Sequence, residues 1–260
     1  MASAYTLRHA TRMQKHSGAS ERETKRYGVA RVLSKQGLAS RTQAAAWVRE
    51  GRVKVNGRVV RDPEFPVRLS QDRVEVEGQA SVVERVHLML NKPRGLVTTA
   101  ADEQGRGTVY RCLDGAGLPW VAPVGRLDKA SEGLLLFSND PAWAAAISDA
   151  QSGPNKTYHV QIDRVPDARL LAALRDGIDD QGERLRAVAV RCLRAGEKNA
   201  WLEIVLDEGR NRQIRRLLAA FDIAVLRLVR VAIGTLALGE LPKGQWRRLS
   251  AEEVAALARV

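Results

Sequence analysis

The chain has 260 residues, of which 28% are charged, and a formal net charge of +12. Its length suits two modest domains with room for a hydrophobic core. The excess of positive charge makes an acidic polymer the expected partner. No apolar run approaches the ~20 residues of a membrane helix, and the N terminus lacks the apolar core of a secretion signal, so we expect no membrane association.

The positive charge is concentrated in the N-terminal quarter. Residues 1–73 contain 16 Lys and Arg against 6 Asp and Glu, whereas the rest of the chain contains 26 against 24. Residues 1–25 look unstructured, which predicts a disordered basic tail that reaches for phosphate. We therefore expect attraction to a polyanion at this end, and a near-neutral globular body after it.

Cysteines and histidines give no sign of a disulfide or a metal site. Cys112 and Cys192 are the only cysteines, far apart and in no CxxC pairing. The four histidines are scattered without the spacing of metal ligands. This usage fits a reducing compartment, and we expect a cytoplasmic protein without a metal.

Residues 29–60 predict two helices followed by a β-hairpin. Apolar residues recur at helical spacing from Val29, and a second helix runs from Ser40 until Gly51 stops it. Two short strands then flank Asn56-Gly57, the pair most typical of a type I′ turn.

This helix–helix–hairpin resembles the S4 RNA-binding domain, and we assign residues 26–77 to such a domain. The alternative is a small basic α/β module whose charges are merely solvated. Six cations gathered on so short a unit favour contact with RNA phosphate. They are Lys35, Arg41, Arg49, Arg52, Lys54 and Arg58.

Residues 78–84 are small and polar and predict a linker, after which a second domain spans 85–260. It opens with a strand that ends at NKPRG, where a proline and a glycine leave Lys92 and Arg94 beside a turn. Both cations are candidate RNA contacts. The alternative, in which Lys92 and Arg94 merely belong to a core strand and its turn, is nearly as well supported. Nothing in the local sequence fixes the direction in which the two side chains point.

The remainder of the second domain mixes strands and helices in uneven order. This order favours an α+β fold with a mixed, mainly antiparallel sheet over repeated βαβ units. The predicted strands are 156–162, 185–193, 201–206 and 225–233, and the predicted helices are 170–174, 209–221 and 252–257.

The most informative segment is 125–140, which reads GRLDKASEGLLLFSND. Asp128 lies between Arg126 and Lys129, two cations that favour an ionised and potentially nucleophilic carboxylate. On spacing alone, a turn aspartate before a buried strand is the better interpretation. The segment, however, resembles the GRLDxxTxGLLLxTxD motif of the RsuA/RluB/RluE/RluF family of ribosomal RNA pseudouridine synthases. The resemblance implies that Asp128 attacks the target nucleotide and that Arg126 contacts RNA.

Two further segments resemble motifs of this family. Lys156-Thr157-Tyr158 matches its KTYxV element, which implies that Lys156 contacts RNA and that Tyr158 stacks on a flipped uracil. Without the resemblance, Tyr158 is better interpreted as an ordinary core tyrosine.

The third segment, EGRNRQIRRL at 208–217, matches the EGxNRQIRRM element. A helix that begins at Gly209 would turn free N–H groups toward an anion, with Arg212 and Arg215 on one edge. The resemblance implies that Arg215 pairs with the catalytic aspartate. Arg210 and Arg216 fit a solvated basic face.

The implied reaction needs few groups. The N1–C1′ bond of uridine breaks, the uracil rotates, and C5 joins C1′, so no redox partner, group donor, metal or other cofactor is expected. The carboxylate can receive C1′ or remove a 2′ proton, and the sequence leaves both routes open. The base must leave its stack to be reached.

Two rival functions fit less of the chain. A non-catalytic S4 adaptor leaves the three motif segments without a reason. A methyltransferase needs a Gly-rich loop, and the only candidate, 115–117, lacks the third glycine. We therefore expect a monomeric pseudouridine synthase that acts on ribosomal RNA or a pre-ribosomal particle, with large-subunit RNA slightly favoured.

Overall fold

The structure is a computed structural model that describes residues 25–69, 71–78, 84–100, 102 and 104–258. The chain divides into two compact units with a boundary near residue 81, and the segment Ser34–Ser40 groups with the second unit. Almost all of the predicted tail and most of the predicted linker lie outside the described residues. Within those residues, no helix combines the length and hydropathy needed to cross a membrane.

The first unit contains two short helices and two small sheets. The helices are α1 (Val29–Lys35) and α2 (Arg41–Arg49), and the strands are β1 (Arg26–Gly28), β2 (Val53–Val55), β3 (Arg58–Val60), β4 (Pro66–Arg68) and β5 (Val74–Val76). One antiparallel sheet has the order β3–β2–β5, and β1 pairs with β4. Asn56 and Gly57 have φ angles of 50° and 79°, as a type I′ turn requires, so the predicted hairpin is confirmed.

The second unit is built on one nine-stranded sheet. Its helices are α3 (Pro141–Ser148), α4 (Ala168–Asp176), α5 (Gln213–Ala219) and α6 (Ala251–Ala258), with a 3₁₀ helix at Val109–Leu113. Its strands are β6 (His87–Lys92), β7 (Ala122–Val124), β8 (Glu132–Ser138), β9 (Lys156–Ile162), β10 (Ile178–Asp180), β11 (Glu183–Leu185), β12 (Ala189–Ala195), β13 (Ala200–Leu206), β14 (Val225–Ile233), β15 (Leu236–Ala237) and β16 (Trp246–Arg248).

The main sheet has the order β12–β13–β9–β14–β8–β6–β16, with β7 added beside β8 and β15 beside β14. Among these pairs only β14 and β8 run parallel, which confirms the mixed, mainly antiparallel sheet of an α+β fold. The hairpin β10–β11 forms a separate small sheet.

The strand after the Asp128 loop lies at the centre of the core. Every residue of β8 is buried, because hydrophobic clusters cover both faces of the sheet. Leu135 and Phe137 belong to the cluster on one side, and Leu134 and Leu136 belong to the cluster on the other. The continuous apolar run in the sequence reflects this two-sided burial.

Gly133 allows β8 and β14 to approach each other. Its φ is +101°, and a Cβ atom added there would lie 2.2 Å from the carbonyl oxygen of Arg230. Only glycine adopts this conformation and leaves this space at low cost. The start of β8, and with it the preceding Asp128 loop, is thereby held against β14.

Two predicted elements have different bounds in the structure. The helix expected to begin at Gly209 begins at Gln213, because Arg212 adopts a left-handed conformation with φ 48°. The strand expected over 185–193 is divided between β11 and β12. The predicted helix N-terminal anion site at Gly209 is therefore wrong.

Candidate active site

One cavity of about 470 Å³ brings together the three motif segments of the second unit. Asp128, Tyr158 and Arg215, which are up to 87 positions apart in the sequence, all line it. Its volume lies within the range of small-molecule sites, which is roughly 300–1,000 Å³. The structure thus places these three predicted site residues in one cleft.

Asp128 lies in the loop that joins β7 to β8. These two strands pair antiparallel, so the loop is anchored at both ends. Gly125 has a positive φ of 74°, and the Ser131 N–H donates to the Asp128 carbonyl oxygen at 2.9 Å, which closes a turn. The Asp128 side chain retains 38% of its exposure and can meet a molecule in the cavity.

The backbone of this loop is fixed by hydrogen bonds. Each carbonyl oxygen from residue 127 to residue 131 accepts at least one. The donors are Thr98 Oγ1 to Leu127 (2.7 Å), Lys92 Nζ to Asp128 (3.1 Å), the Gly95 N–H to Lys129 (2.7 Å), Arg215 Nη2 to Ala130 (3.3 Å) and Lys92 Nζ to Ser131 (2.8 Å). Asp128 is therefore held in place before any substrate binds.

Lys92 is a buried support of the Asp128 loop, and the predicted RNA contact is wrong for this residue. Its side chain is 0% exposed, and Nζ also donates to the Pro93 carbonyl oxygen at 3.2 Å. Burial lowers the pKa of Lys92 to about 8, although the nearby Asp128 opposes the shift. Lys92 is buried because β6, which ends with it, runs through the core, whereas Arg94 beyond it is exposed.

Among the described residues, the cation that pairs with the Asp128 carboxylate is Arg212. Its Nη1 lies 3.8 Å from Asp128 Oδ2, and its side chain is half exposed. Arg215 forms no ion pair with Asp128 within 4.0 Å in the described structure; its guanidinium donates to the carbonyl oxygens of Ala130 and Val225. The predicted pairing therefore falls to Arg212, which precedes α5 and does not share a helical edge with Arg215.

Arg215 is half-buried, lines the cavity and interacts electrostatically with the charges there. Its Nε is buried with no partner among the described residues. Burial lowers the pKa of Arg215 and nearby Arg212 lowers it further, whereas Asp128 acts in the opposite direction. Arg215 thus positions the loop through Ala130 and contributes positive charge near Asp128.

Arg216 and Arg210, expected on a solvated face, are instead held by acidic residues. Arg216 contacts Asp180 at 2.5 Å and Glu183 at 2.6 Å, both from the β10–β11 hairpin. Arg210 contacts Glu208 at 2.7 Å. The charge run does not show the partners of Arg216, because Asp180 and Glu183 lie 36 and 33 residues earlier in the chain.

Tyr158 and Lys156 form part of the cavity floor. The strict alternation along β9 predicted one buried face, and both residues lie on it with 8% and 9% exposure. Leu206, Ile214 and Leu228 complete an apolar surface beside the tyrosine ring. An aromatic and apolar floor of this kind suits a planar base.

The other predicted RNA contacts are accessible to a large ligand. Arg126 is exposed and lines the cavity, and Arg94 is exposed and interacts electrostatically with Arg215. Arg52 is half buried, because it lies over the Trp47 ring at 5.3 Å. The other five cations predicted to contact RNA in the S4 segment are exposed: Lys35, Arg41, Arg49, Lys54 and Arg58.

The sequence interpretation missed Gln213. Its side chain is 3% exposed, and its amide nitrogen donates to Glu208 at 2.8 Å and to the Arg186 carbonyl oxygen at 3.1 Å. It also accepts from the Arg210 N–H at 3.2 Å. The sequence did offer a signal for this role, namely an uncharged glutamine within a run of arginines. Gln213 fixes the loop that presents Arg212.

Two protein-family models match the chain. The model described as RNA pseudouridylate synthase matches residues 86–220, and the S4 domain model matches residues 29–74. The first match alone covers half of the chain and contains all three motif segments that contribute to the cavity.

Individual proteins resemble the chain over most of its length. A protein of Aquifex aeolicus named as an uncharacterized RNA pseudouridine synthase is 37% identical, over 87% of this chain and 92% of its own. The ribosomal large subunit pseudouridine synthase B of Bacillus subtilis is 35% identical, over 86% and 92%. A crystal structure of a pseudouridylate synthase aligns with a TM-score of 0.62 and 28% identity, over 89% of this chain and 99% of that one. This chain belongs to the RNA pseudouridine synthase family and carries an S4 domain.

Proposed function

We propose that this chain isomerises one uridine of ribosomal RNA to pseudouridine with Asp128 as the catalytic carboxylate. The observation that carries the proposal is the position of Asp128. It lies on a loop whose carbonyl groups from residue 127 to residue 131 all accept hydrogen bonds, at a cavity with an aromatic and apolar floor. A carboxylate fixed beside a base-sized cavity is what a nucleoside rearrangement requires.

In the proposed reaction, the N1–C1′ bond breaks and its electron pair stays with the uracil. Asp128 either bonds to C1′ or removes the 2′ proton, and both routes keep the sugar activated. The uracil then turns within the cavity and C5 bonds to C1′, while the Asp128–C1′ bond breaks or, on the other route, the proton returns to C2′. The proton lost from C5 is balanced by one gained at N1. The isomerisation needs no external donor or acceptor.

Tyr158 is the proposed platform for the base. A uridine inside an RNA strand is stacked on its neighbours, so it must turn out of the strand to reach Asp128. Base–aromatic stacking on Tyr158 would repay about 1–3 kcal/mol of that cost. Arg126 and Arg212 are exposed and line the cavity, and the exposed Arg94 interacts electrostatically with Arg215; these three cations would bind the flanking phosphates.

We propose large-subunit ribosomal RNA as the substrate class and a monomer as the active form. The Bacillus subtilis relative is named for the large subunit and matches both domains of this chain. Asp128, Tyr158 and Arg215 all come from one chain, so the site needs no second copy.

The test is to incubate the purified protein with unmodified large-subunit and small-subunit ribosomal RNA and to map pseudouridine in each. We expect one modified position in large-subunit RNA and none in a transfer RNA control. Product only in small-subunit RNA would overturn the substrate class. Binding to both RNAs without product would support the non-catalytic adaptor instead.

A further inference from the structure

The cavity floor contains two buried cations that the reaction outlined above does not use. Lys156 is 9% exposed and Arg230 is 5% exposed, and both line the cavity. Burying a cation in an apolar surrounding costs several kcal/mol unless an anion or hydrogen-bond acceptors compensate. Their partners therefore decide what the floor can bind.

Lys156 has no such partner in the part of the protein that the structure describes. Among the described residues, its ammonium group makes no hydrogen bond and no ion pair within 4.0 Å. The carboxylates that act on it electrostatically are Asp207 and Asp149. Asp149 already accepts from the Gln151 N–H and from the N–H and hydroxyl of Ser152, and Asp207 pairs with Arg186 at 3.3 Å.

Arg230 is only partly satisfied. Its Nε donates to the Leu134 carbonyl oxygen at 2.7 Å, which anchors the side chain to β8. Its Nη2 is buried with no partner in the described structure. Two cations that repel each other are thus held together in a largely buried floor, and burial and Arg230 both lower the pKa of Lys156. An anionic or strongly accepting ligand would relieve this arrangement.

The two cations flank the proposed platform for the base. Lys156 precedes Tyr158 by two residues on the same buried face of β9. Arg230 lies directly opposite Tyr158 in the register between β14 and β9. A ring stacked on Tyr158 would therefore have its edge close to both cations.

We propose that Lys156 and Arg230 form a subsite for the oxygen atoms of the uracil, and that Lys156 stabilises the negative charge that the uracil acquires as it leaves the sugar. This inference rests on the proposed function. When the N1–C1′ bond breaks, its electron pair is delocalised over the ring and its two carbonyl oxygens. The charge disappears when C5 bonds to C1′, loses its proton, and N1 is protonated.

A backbone phosphate is the other anion that could occupy the subsite. The position of the cations favours the base, since Lys156 and Arg230 are buried in the floor beside Tyr158. Arg126 and Arg212 are exposed at the cavity and are the better partners for phosphates that remain on the strand. A preformed positive site is most effective where charge develops in the transition state.

The test compares uridine with 5-fluorouridine at the target position of the same RNA. Fluorine withdraws electrons and makes the uracil a better leaving group, so its departure depends less on a cation. Single-turnover loss of the starting nucleoside at saturating RNA is measured for the wild type, Lys156→Met and Lys156→Gln. The control is Lys198→Met, which removes an exposed lysine in the β12–β13 turn.

We expect Lys156→Met to slow uridine turnover about 10- to 100-fold, the loss of one charge-assisted interaction, with RNA affinity changed less than about threefold. The loss on 5-fluorouridine should be at least about threefold smaller. Equal losses on both substrates, or weaker binding with an unchanged rate, would overturn the proposal. Lys156→Gln provides the same comparison if Lys156→Met does not fold. Turnover of uridine by the wild type in the same assay tests the proposed function separately, so a failure of that function can be told apart from a failure of this proposal.

Discussion

The residues around Asp128 divide into supports of its backbone and groups that face the cavity. Lys92 and Thr98 hold loop carbonyl groups, whereas Arg212 approaches the carboxylate itself at 3.8 Å. Arg215 belongs to both groups, because it donates to Ala130 and lies close enough to Asp128 to interact electrostatically. Substitutions in the two groups should therefore have different effects.

Lys92 should make the free energy of unfolding depend on pH in the alkaline range. Folded Lys92 loses its proton near pH 8, whereas the unfolded chain keeps it until about pH 10.4. The unfolded state binds more protons in this window, so the wild type should gain up to about 3 kcal/mol relative to Lys92→Met as pH rises through it. Denaturant unfolding at several pH values measures this difference. The control is Lys198→Met, whose stability should follow that of the wild type at every pH. Parallel pH profiles for the wild type and Lys92→Met would contradict this prediction.

Arg212 and Arg215 should both contribute to turnover. Arg215→Ala removes the donor to Ala130 and a positive charge near Asp128, and should slow single turnover about 10- to 100-fold. Arg212→Ala removes a half-exposed pair and should cost less, about threefold to tenfold. The control is Arg169→Ala, on the exposed side of α4. Arg216 is not a suitable control, because two carboxylates hold its side chain. An Arg215→Ala rate equal to that of the control would contradict this role.

At the scale of elements, the parallel pair of β8 and β14 positions the site. It holds the end of the Asp128 loop beside the strand that carries Arg230. Gly133 makes this pairing possible, since any side chain there would meet the backbone of Arg230.

Gly133→Ala should therefore destabilise the protein. The positive φ and the backbone clash together should cost about 2–4 kcal/mol, which lowers the melting temperature by roughly 5–15 °C. Gly196→Ala is the matched control, because its added Cβ would have only ordinary contacts at 3.6 Å and its φ is not positive. Calorimetry of the two variants makes the comparison. Equal melting temperatures would show that the strands can separate at this point without cost.

The sequence predicted elements well where local periodicity decides them. β9 and β14 have the predicted bounds, because alternation along one strand is visible without knowing its neighbours. The helix expected at 209–221 starts four residues late, since the left-handed conformation of Arg212 has no signal in a cationic run. The buried position of Lys92 depends on carbonyl groups more than 30 residues later in the chain, so spacing could not reveal it.

At the scale of the whole molecule, positive charge and chemistry are assigned to different parts of the chain. Residues 1–73 carry a net charge of +10, whereas the remainder carries +2 and contains the cavity. Affinity for RNA should thus depend on the first part more than turnover does.

Neutralising exposed cations of the S4 domain should reduce the salt dependence of binding. The triple variant Arg49→Gln, Lys54→Gln, Arg58→Gln removes three cations, so the slope of log affinity against log salt should fall by about 2–3. The control removes three exposed cations of the second unit: Arg169→Gln, Arg175→Gln, Lys198→Gln. Filter binding at several salt concentrations measures both slopes. Identical slopes for the two triple variants would contradict the assignment of RNA affinity mainly to the first part of the chain.

The most direct test of the catalytic role of Asp128 is single turnover by Asp128→Asn. The amide keeps the size of the side chain but removes the charge and the nucleophile, so we expect no detectable pseudouridine, with unchanged melting temperature and RNA affinity. Asp114→Asn, an exposed aspartate of the same unit, should retain the wild-type rate. Pseudouridine formation by Asp128→Asn at a rate near that of the wild type would show that another group performs the chemistry.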